Sequence, residues 1–406
     1  MNCHGLRANK RSEGVARVQY CRLKTKGTCM SRILTNLLLA TIPALLAIWP
    51  TDLSMGHEGA ASGWRQAVAP RLWSFPKDHG SHPEYRTEWW YFTGNLRDAD
   101  GARYGYQLTF FRQGVRLRPE DPDNPWSLRD AYLAHFAIAD LSTGSFQSAD
   151  LVSRAGPGLA GASTDAMHVW LLDWSARMEG STVFLKARNK DMALELTLRP
   201  RKPLVLHGCN GLSKKAAAAG QASYYYSFTR LDTTGEIRTS PQGLHAAVKG
   251  VSWFDHEFGS NQLTPDQEGW DWFSLHLSDG KDLMIYFLRR KDGSIEPESS
   301  GTLVNLEGIP RHLKLSDVNV SILGRWQSPK TGTRYPCRWR IRIPSAGLDL
   351  NVAPLLAEQE LDTRKSTGVI YWEGAVAGKG TSSGQRVSCE GYIELTGYGE
   401  GIGGMF

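Results

Sequence analysis

The sequence predicts an all-β chain of many short antiparallel strands closed into two β-barrels in tandem, and three observations predict it. Segments of roughly five to eight residues alternate apolar and polar side chains, the period of a strand with one buried face; Tyr104, Tyr106, Leu108 and Phe110 stand against Gly105, Gln107 and Thr109. Gly, Asp, Asn, Ser and Pro punctuate these segments, and no long stretch of the body carries helical periodicity. A faint internal repeat completes the case. Glu88 leads through Trp90 and Leu96 to an Asp100-Gly101 turn and an apolar strand ending at Arg112; Glu268 leads through Trp270 and Leu277 to Asp279-Gly280 and a strand ending at Arg289. The two turn glycines lie 179 residues apart, and each Asp-Gly supplies the positive φ of a tight hairpin.

The first element, residues 1–61, reads as a leader. Its first 32 residues are strongly basic and account for the net charge of +6, so the body is nearly neutral. No basic stripe with interleaved aromatics follows, which argues against nucleic acid as a partner. The run "ILTNLLLATIPALLAIWP", Ile33 to Pro50, is broken by Asn36 and Pro43 and gives way to small and polar residues. That is the pattern of a signal peptide starting at Met30, with cleavage near Ser54-Met55-Gly56 or Gly59-Ala60-Ala61. An uncleaved anchor is the alternative, since the run is close to the minimum bilayer span. Export to the periplasm or beyond permits a disulfide. Cys337 and Cys389 could then pair, leaving Cys209 odd; three free thiols is the other reading.

The body divides into two halves, 62–245 and 246–406, joined near "SPQGLHAAVKG". Alternating strands recur in both: Met192 to Leu198 in the first, Trp339 to Ile343 and Tyr392 to Leu395 in the second. Chemistry is expected where polar groups interrupt aromatic strands. Three places qualify: "HPEYRTEWWYFTGNL", "VSWFDHEFGS" and "EGWDWFSLHL". If Trp253 to Phe258 is extended, Trp253, Asp255 and Glu257 share one face while Phe254, His256 and Phe258 share the other. A carboxyl desolvated by indole rings beside a like charge stays protonated toward neutral pH, as a general acid requires. The bland alternative is an acid paired with Arg or with backbone N–H groups at a strand end.

His82, His135, His256 and His276 sit in or beside aromatic strands, where a lone histidine is more often structural than catalytic. His79 and His82, with Glu84 and Glu88, have the composition of a metal cluster, but Pro83 interrupts them and no helix aims them together. No metal or other cofactor is expected. Gly380-Thr-Ser-Ser-Gly384 matches a nucleophile elbow only formally, because it lies in a Ser/Gly-rich turn.

"EYRTEWWYFTGNL", "YLAHFAIADL", "VSWFDHEFGS" and "GWDWFSLHLSDG" together resemble the secreted lipocalin-like family of AttH-like proteins and carotenoid 1,2-hydratases, over about Trp73 to the C-terminus. The resemblance implies tandem lipocalin-like barrels and, for the hydratase branch, cofactor-free addition of water to an isoprenoid double bond. The exported leader favours the AttH-like branch, whose members are associated with transporter genes. Asp255 is the candidate acid; Trp253, Trp270 and Trp272 offer indole faces to a tertiary cation, and His256 or Glu257 orients the water. Asp271, inside a matching motif, joins the catalytic candidates. His82, Glu88, Trp90, Tyr91, His135 and His276 are expected beside the ligand, a hydrophobic isoprenoid or lipid-like molecule. The alternative is a non-catalytic carrier or chaperone working with an ABC-transporter permease.

The leader reading predicts that the mature exported protein starts within a few residues of Gly56 or Ser62. N-terminal sequencing that finds Leu37 to Leu46 retained would show the run to be an anchor.

Overall fold

The computed structural model describes residues 63–399 apart from Glu120, Pro122, Pro125, Pro241, Gln242 and Leu244. The leader and its cleavage sites lie outside the described residues. Within them no helix is long and apolar enough to cross a membrane.

Strands β1 (Thr87–Asp98), β2 (Arg103–Gly114), β3 (Asp130–Asp140), β4 (Ser145–Arg154), β5 (Ala160–Ala162), β6 (His168–Leu171), β7 (Trp174–Glu179), β8 (Thr182–Arg188), β9 (Ala193–Pro200), β10 (Val205–Leu206), β11 (Leu212–Lys214), β12 (Ala222–Arg238) and β13 (Ala246–Gly259) form the first sheet. Its order is β4-β3-β2-β1-β13-β12-β9-β8-β7-β6-β5, with β10 and β11 also on β12. The second sheet comprises β14 (Gln267–Leu277), β15 (Asp282–Arg290), β16 (Ser300–Val304), β17 (Pro310–Lys314), β18 (Asn319–Gln327), β19 (Arg334–Ile343), β20 (Leu348–Pro354), β21 (Glu360–Thr363), β22 (Val369–Ser382) and β23 (Gln385–Leu395). It runs β17-β16-β15-β14-β23-β22-β20-β19-β18, with β21 on β22. Each sheet is antiparallel and curls into a near-closed barrel, so the all-β, lipocalin-like expectation holds.

Alternation fills both interiors. Trp90, Phe92 and Leu96 of β1 pack with Tyr106, Leu108, Phe110 and Phe254 inside the first barrel. Phe273, Leu275 and Leu277 of β14 pack with Ile285, Trp339, Trp372 and Ile393 inside the second. The hairpin turns form as predicted, Gly101 at φ +86° and Gly280 at φ +83°, a region open to glycine.

Two expectations need correction. Ala246–Gly259, assigned from sequence to the second half, is β13 of the first sheet, hydrogen-bonded to both β1 and β12. The chain therefore changes sheets between Gly259 and Gln267, not near Ser240 to Gly250. Closing a barrel requires a late strand to return to an early one, and that long-range pairing leaves no local signal. Trp90 and Trp270 occupy corresponding first strands but opposite faces: Trp90 points into its barrel, whereas Trp270 packs between the sheets. The true counterpart of Trp270 is Tyr91, which lies as far before its turn glycine and faces the same way. Of the two readings left open for the cysteines, the free-thiol one holds: Cys209, Cys337 and Cys389 are all free.

The barrels meet outer face to outer face, and a third apolar cluster lies between them: Tyr91, Tyr225, Trp253, Trp272, Tyr286 and Tyr392 with their neighbours. Asp282 ties the sheets together, taking Lys202 at 2.7 Å and Arg230 at 2.6 Å. Arg97 and Arg103 from the first sheet both reach Glu390. Gly105 allows a close approach, because a Cβ there would lie 2.6 Å from the Tyr392 hydroxyl and 2.8 Å from Ala375 Cβ. Gly105→Ala should therefore cost about 1–3 kcal/mol by overpacking, measured by urea denaturation. An unchanged midpoint would show that the sheets can separate freely at this point.

Candidate functional site

The outer face of the first sheet carries a polar row formed by register alone. Ser227 (β12) stands opposite Asp255 (β13), Asp255 opposite Tyr91 (β1), Tyr91 opposite Thr109 (β2), and Thr109 opposite His135 (β3). A neighbouring row runs Tyr225, Glu257, Trp89, Phe111. The second sheet presents a matching row, Glu373 (β22), Glu394 (β23), Trp272 (β14) and Tyr286 (β15). Between these faces lies a cavity of about 90 Å³, several times the roughly 10–15 Å³ one water needs. Trp89, Tyr91, Phe111, Trp270, Trp272 and Tyr286 give it aromatic walls, and Asp255, Glu257, Glu373 and Glu394 set carboxyls into them. Trp89, Phe111, Leu263, Trp270 and Glu394 are half-exposed and flank its mouth, while most of the remaining lining is buried.

Hydrogen bonds fix the acids. Asp255 accepts from Trp253 Nε1 at 2.6 Å, from the Tyr225 hydroxyl at 2.6 Å and from Ser227 Oγ. The Tyr225 hydroxyl also receives the Trp272 indole N–H at 3.1 Å, crossing from the other sheet. Glu257 accepts from Ser223 Oγ and pairs with Lys215 Nζ at 2.8 Å. That ammonium lies 4.2 Å from the Tyr286 ring centroid and 5.2 Å from that of Tyr225, within cation–π reach. Tyr91 donates to Glu373 Oε1 at 2.6 Å, and His135 Nδ1 meets the Tyr371 hydroxyl at 2.8 Å, so the row continues across the gap.

Asp255 has no ion-pair partner among the described residues; Lys215, paired with Glu257, is near enough only to interact with its charge. Burial pushes its carboxyl up to about 7, against the opposing pull of Ser227, Tyr225 and Trp253. Glu394 is likewise raised to about 7 by burial, helped by the Asp255 and Glu257 charges. Glu373, directly opposite Glu394, is raised well above the carboxyl range by burial and then by Glu394. Two carboxyls so placed cannot both ionise cheaply.

The sequence candidates fall into two groups. Asp255, Glu257, Tyr91, Trp270 and Trp272 line the cavity, and Trp253 backs it through its bond to Asp255. His135 stands one layer behind, on Tyr371. His276 bonds the Thr229 carbonyl at 2.7 Å and does not line the cavity. His256 is a correction: alternation turns it into the first barrel, where Nε2 meets Glu88 Oε1 at 2.9 Å and Nδ1 the Tyr226 hydroxyl at 2.9 Å. Asp271 is another, pointing into the second barrel to bond Arg289 at 3.0 Å and Tyr398 at 2.9 Å. His82, Glu88 and Trp90 also belong to the first barrel's interior, away from the cavity. Glu373 and Glu394 escaped the sequence reading, although Glu373 is the one acid of β22, in "IYWEGAV", and Glu394 the polar member of "YIEL".

The inner cluster is the one place among the described residues where three ligand-type side chains converge, with His82, Glu88 and His256 atoms within 4.8 Å. Glu88 Oε1 takes His82 Nδ1 at 2.8 Å as well as His256, and Oε2 takes Arg112 Nε at 3.0 Å and Ser81 Oγ at 2.9 Å. His82 Nε2 reaches Asp78 at 3.2 Å. Burial opposes charge on both groups. Bonds to His256, His82 and Arg112 nonetheless hold Glu88 well below its usual range, and bonds to Asp78 and Glu88 hold His82 above its own. With a guanidinium already on the carboxylate, these residues suit a buried ion-pair network better than a metal cation. His79 turns to Tyr226 and Glu84 to Arg65 at the surface.

The raised acids fix a pH dependence. The folded state holds protons on Asp255 and Glu394 that the unfolded chain releases near pH 4, so their contribution is present below pH 4 and lost as pH rises through about 7. His79, His135 and His207, all buried, and the half-buried His276 are lowered by desolvation and act oppositely below about pH 6.5. The wild type should therefore lose stability relative to Asp255→Asn between pH 4 and 7, by at most about 1.4 kcal/mol per unit, and the difference should be flat above that window. Paired thermal melts across pH 4–8 measure it; a difference independent of pH would place an ordinary carboxylate at Asp255.

Comparison with known proteins places this geometry in a family. The AttH-like family profile matches residues 66–398. The chain is similar to the crystal structure of an AttH candidate from Nitrosomonas europaea, with 36% identity and a TM-score of 0.73, covering 82% of this chain and 99% of that one. It also shares its fold with kievitone hydratase from Nectria haematococca, at 14% identity and a TM-score of 0.62, over 83% and 97% of the two chains. A comparison with curated protein sequences finds no match. The chain belongs to the AttH-like family.

Proposed function

We propose that this protein is a cofactor-independent hydratase that adds water to a carbon–carbon double bond of an isoprenoid or lipid-like molecule held between the two barrels. The observation that carries the reading is Asp255, a carboxyl set in an aromatic wall, held protonated toward neutral pH and without an ion-pair partner among the described residues. Asp255 gives its proton to the less substituted alkene carbon, and the π pair becomes the new C–H bond. The tertiary cation left behind faces the Trp270 and Trp272 indoles. Water adds to that carbon, and its surplus proton passes to Glu257, one step along the same strand face; exchange with solvent then returns both carboxyls to their starting states. The shared fold of a protein named kievitone hydratase agrees with this chemistry. A carrier would need the aromatic walls but not the four carboxyls set into them. The leader supports export to the periplasm or beyond, and the resemblance to AttH-like proteins supports an ABC-type permease as a partner.

The test is turnover of an acyclic isoprenoid in water enriched in heavy oxygen. Mass spectrometry should find one labelled water added per double bond consumed. Asp255→Asn should lower the rate by roughly 10²-fold or more, the scale of losing a general acid, while ligand affinity stays within a few-fold. Binding without label incorporation by the wild type would favour the carrier, and a fully active Asp255→Asn would remove Asp255 from the chemistry.

A further inference from the structure

Three hydrogen-bonding atoms in the cavity lining have no partner among the described residues, and two of them form one patch. Gln107 of β2 donates from Nε2 to Thr109 Oγ1 at 2.6 Å, and its Oε1 meets nothing. Glu373 of β22 receives the Tyr91 hydroxyl on Oε1, and its Oε2 meets nothing. Both side chains belong to residues only 2% exposed, and both line the cavity. They also belong to one patch, since Tyr91 stands opposite Thr109 in the β1–β2 register, so Gln107, Thr109, Tyr91 and Glu373 run continuously from one sheet to the other. A third such atom, Gln262 Nε2, lies on the loop after β13.

Buried polar atoms are normally matched, and an exception in a ligand cavity indicates what the ligand brings. We propose that the ligand carries a hydroxyl group beside its apolar alkene body, and that Gln107 and Glu373 hold that hydroxyl. This rests on the cavity being the ligand site of the proposed hydratase. A hydroxyl answers both atoms at once: its hydrogen goes to the Gln107 amide oxygen, and its oxygen accepts the proton that burial and Glu394 keep on Glu373. It suits the opposite amide orientation equally, because a hydroxyl both donates and accepts. A bare hydrocarbon would leave both atoms unmatched while excluding the water that could serve them.

The experiment compares geraniol with its deoxy hydrocarbon, which lacks only the hydroxyl, by quenching of the cavity tryptophans. The wild type should prefer the alcohol by about tenfold or more, roughly one good hydrogen bond's worth of affinity. Gln107→Leu should bring the two dissociation constants within about threefold; Gln107→Met, closer to glutamine in length, is the second variant if the first fails to fold. Equal binding of both compounds by the wild type, or a preference that survives in the folded variant, overturns the hydroxyl subsite. Label incorporation separates this from the parent reading. Hydration of the hydrocarbon with no preference for the alcohol would overturn the subsite and leave the hydratase. A preference lost in the Gln107 variant, with no turnover of either compound, would retain the subsite and overturn the hydratase.

Discussion

The strict alternation of β13 is the constraint on which both halves of the molecule depend. Successive side chains of a strand point to opposite faces, so the six residues Trp253 to Phe258 are divided between two environments. Phe254, His256 and Phe258 pack inside the first barrel, and Trp253, Asp255 and Glu257 face the second sheet. Since β13 is hydrogen-bonded on both sides, to β1 and to β12, its register cannot slip by one residue without exchanging every group between core and cavity. The same pairing aligns Tyr91, Thr109 and His135 with Asp255, so closing the barrel and assembling the polar row are one event.

That arrangement makes the cavity an unusual place for acids. The barrels meet through their outer faces, which in an isolated barrel would be solvated and could carry Glu and Asp freely. Covering those faces removes the water without adding matching cations. Lys215 serves Glu257, whereas Asp255, Glu373 and Glu394 receive hydrogen bonds from Trp, Tyr and Ser groups and no salt bridge among the described residues. Neutral donors stabilise a carboxylate less than a cation does, and desolvation therefore prevails. Acidity near neutral pH here is a consequence of sheet packing more than of any single neighbour.

The same fact explains what could be read from the sequence. The strands, the Asp-Gly turns and the division of faces along Trp253 to Phe258 are local properties, and they were legible. Asp255, Glu257, Tyr91, Trp270 and Trp272 could be found because aromatic and acidic residues alternate within one short stretch. Glu394 was visible only as the polar member of an ordinary alternating strand, Tyr392 to Leu395, since alternation shows that two faces differ but not that the polar one is covered by a second barrel. His256 and Asp271 were drawn into the site by their motifs, although their parity along β13 and β14 sends them inward. The return of β13 to β1 depends on residues far apart in the chain, which displaced the boundary between the halves.

The two polar clusters on either side of β13 also show how structure and chemistry are kept apart over one peptide step. On the inner side Glu88 is surrounded by Arg112, His82 and His256, and its charge is matched within 3.0 Å. Removing any partner would strand a buried charge, so that cluster favours one protonation state and one geometry. On the outer side Asp255 is held by three neutral donors, and its protonated and ionised forms are close in free energy near pH 7. A group poised between two states can give up a proton and regain it without unfolding its surroundings. The adjacent residues Asp255 and His256 differ most in this respect: the cavity carboxyl is free to change state, and the interior imidazole is locked to the charge network that holds the first barrel's strands together.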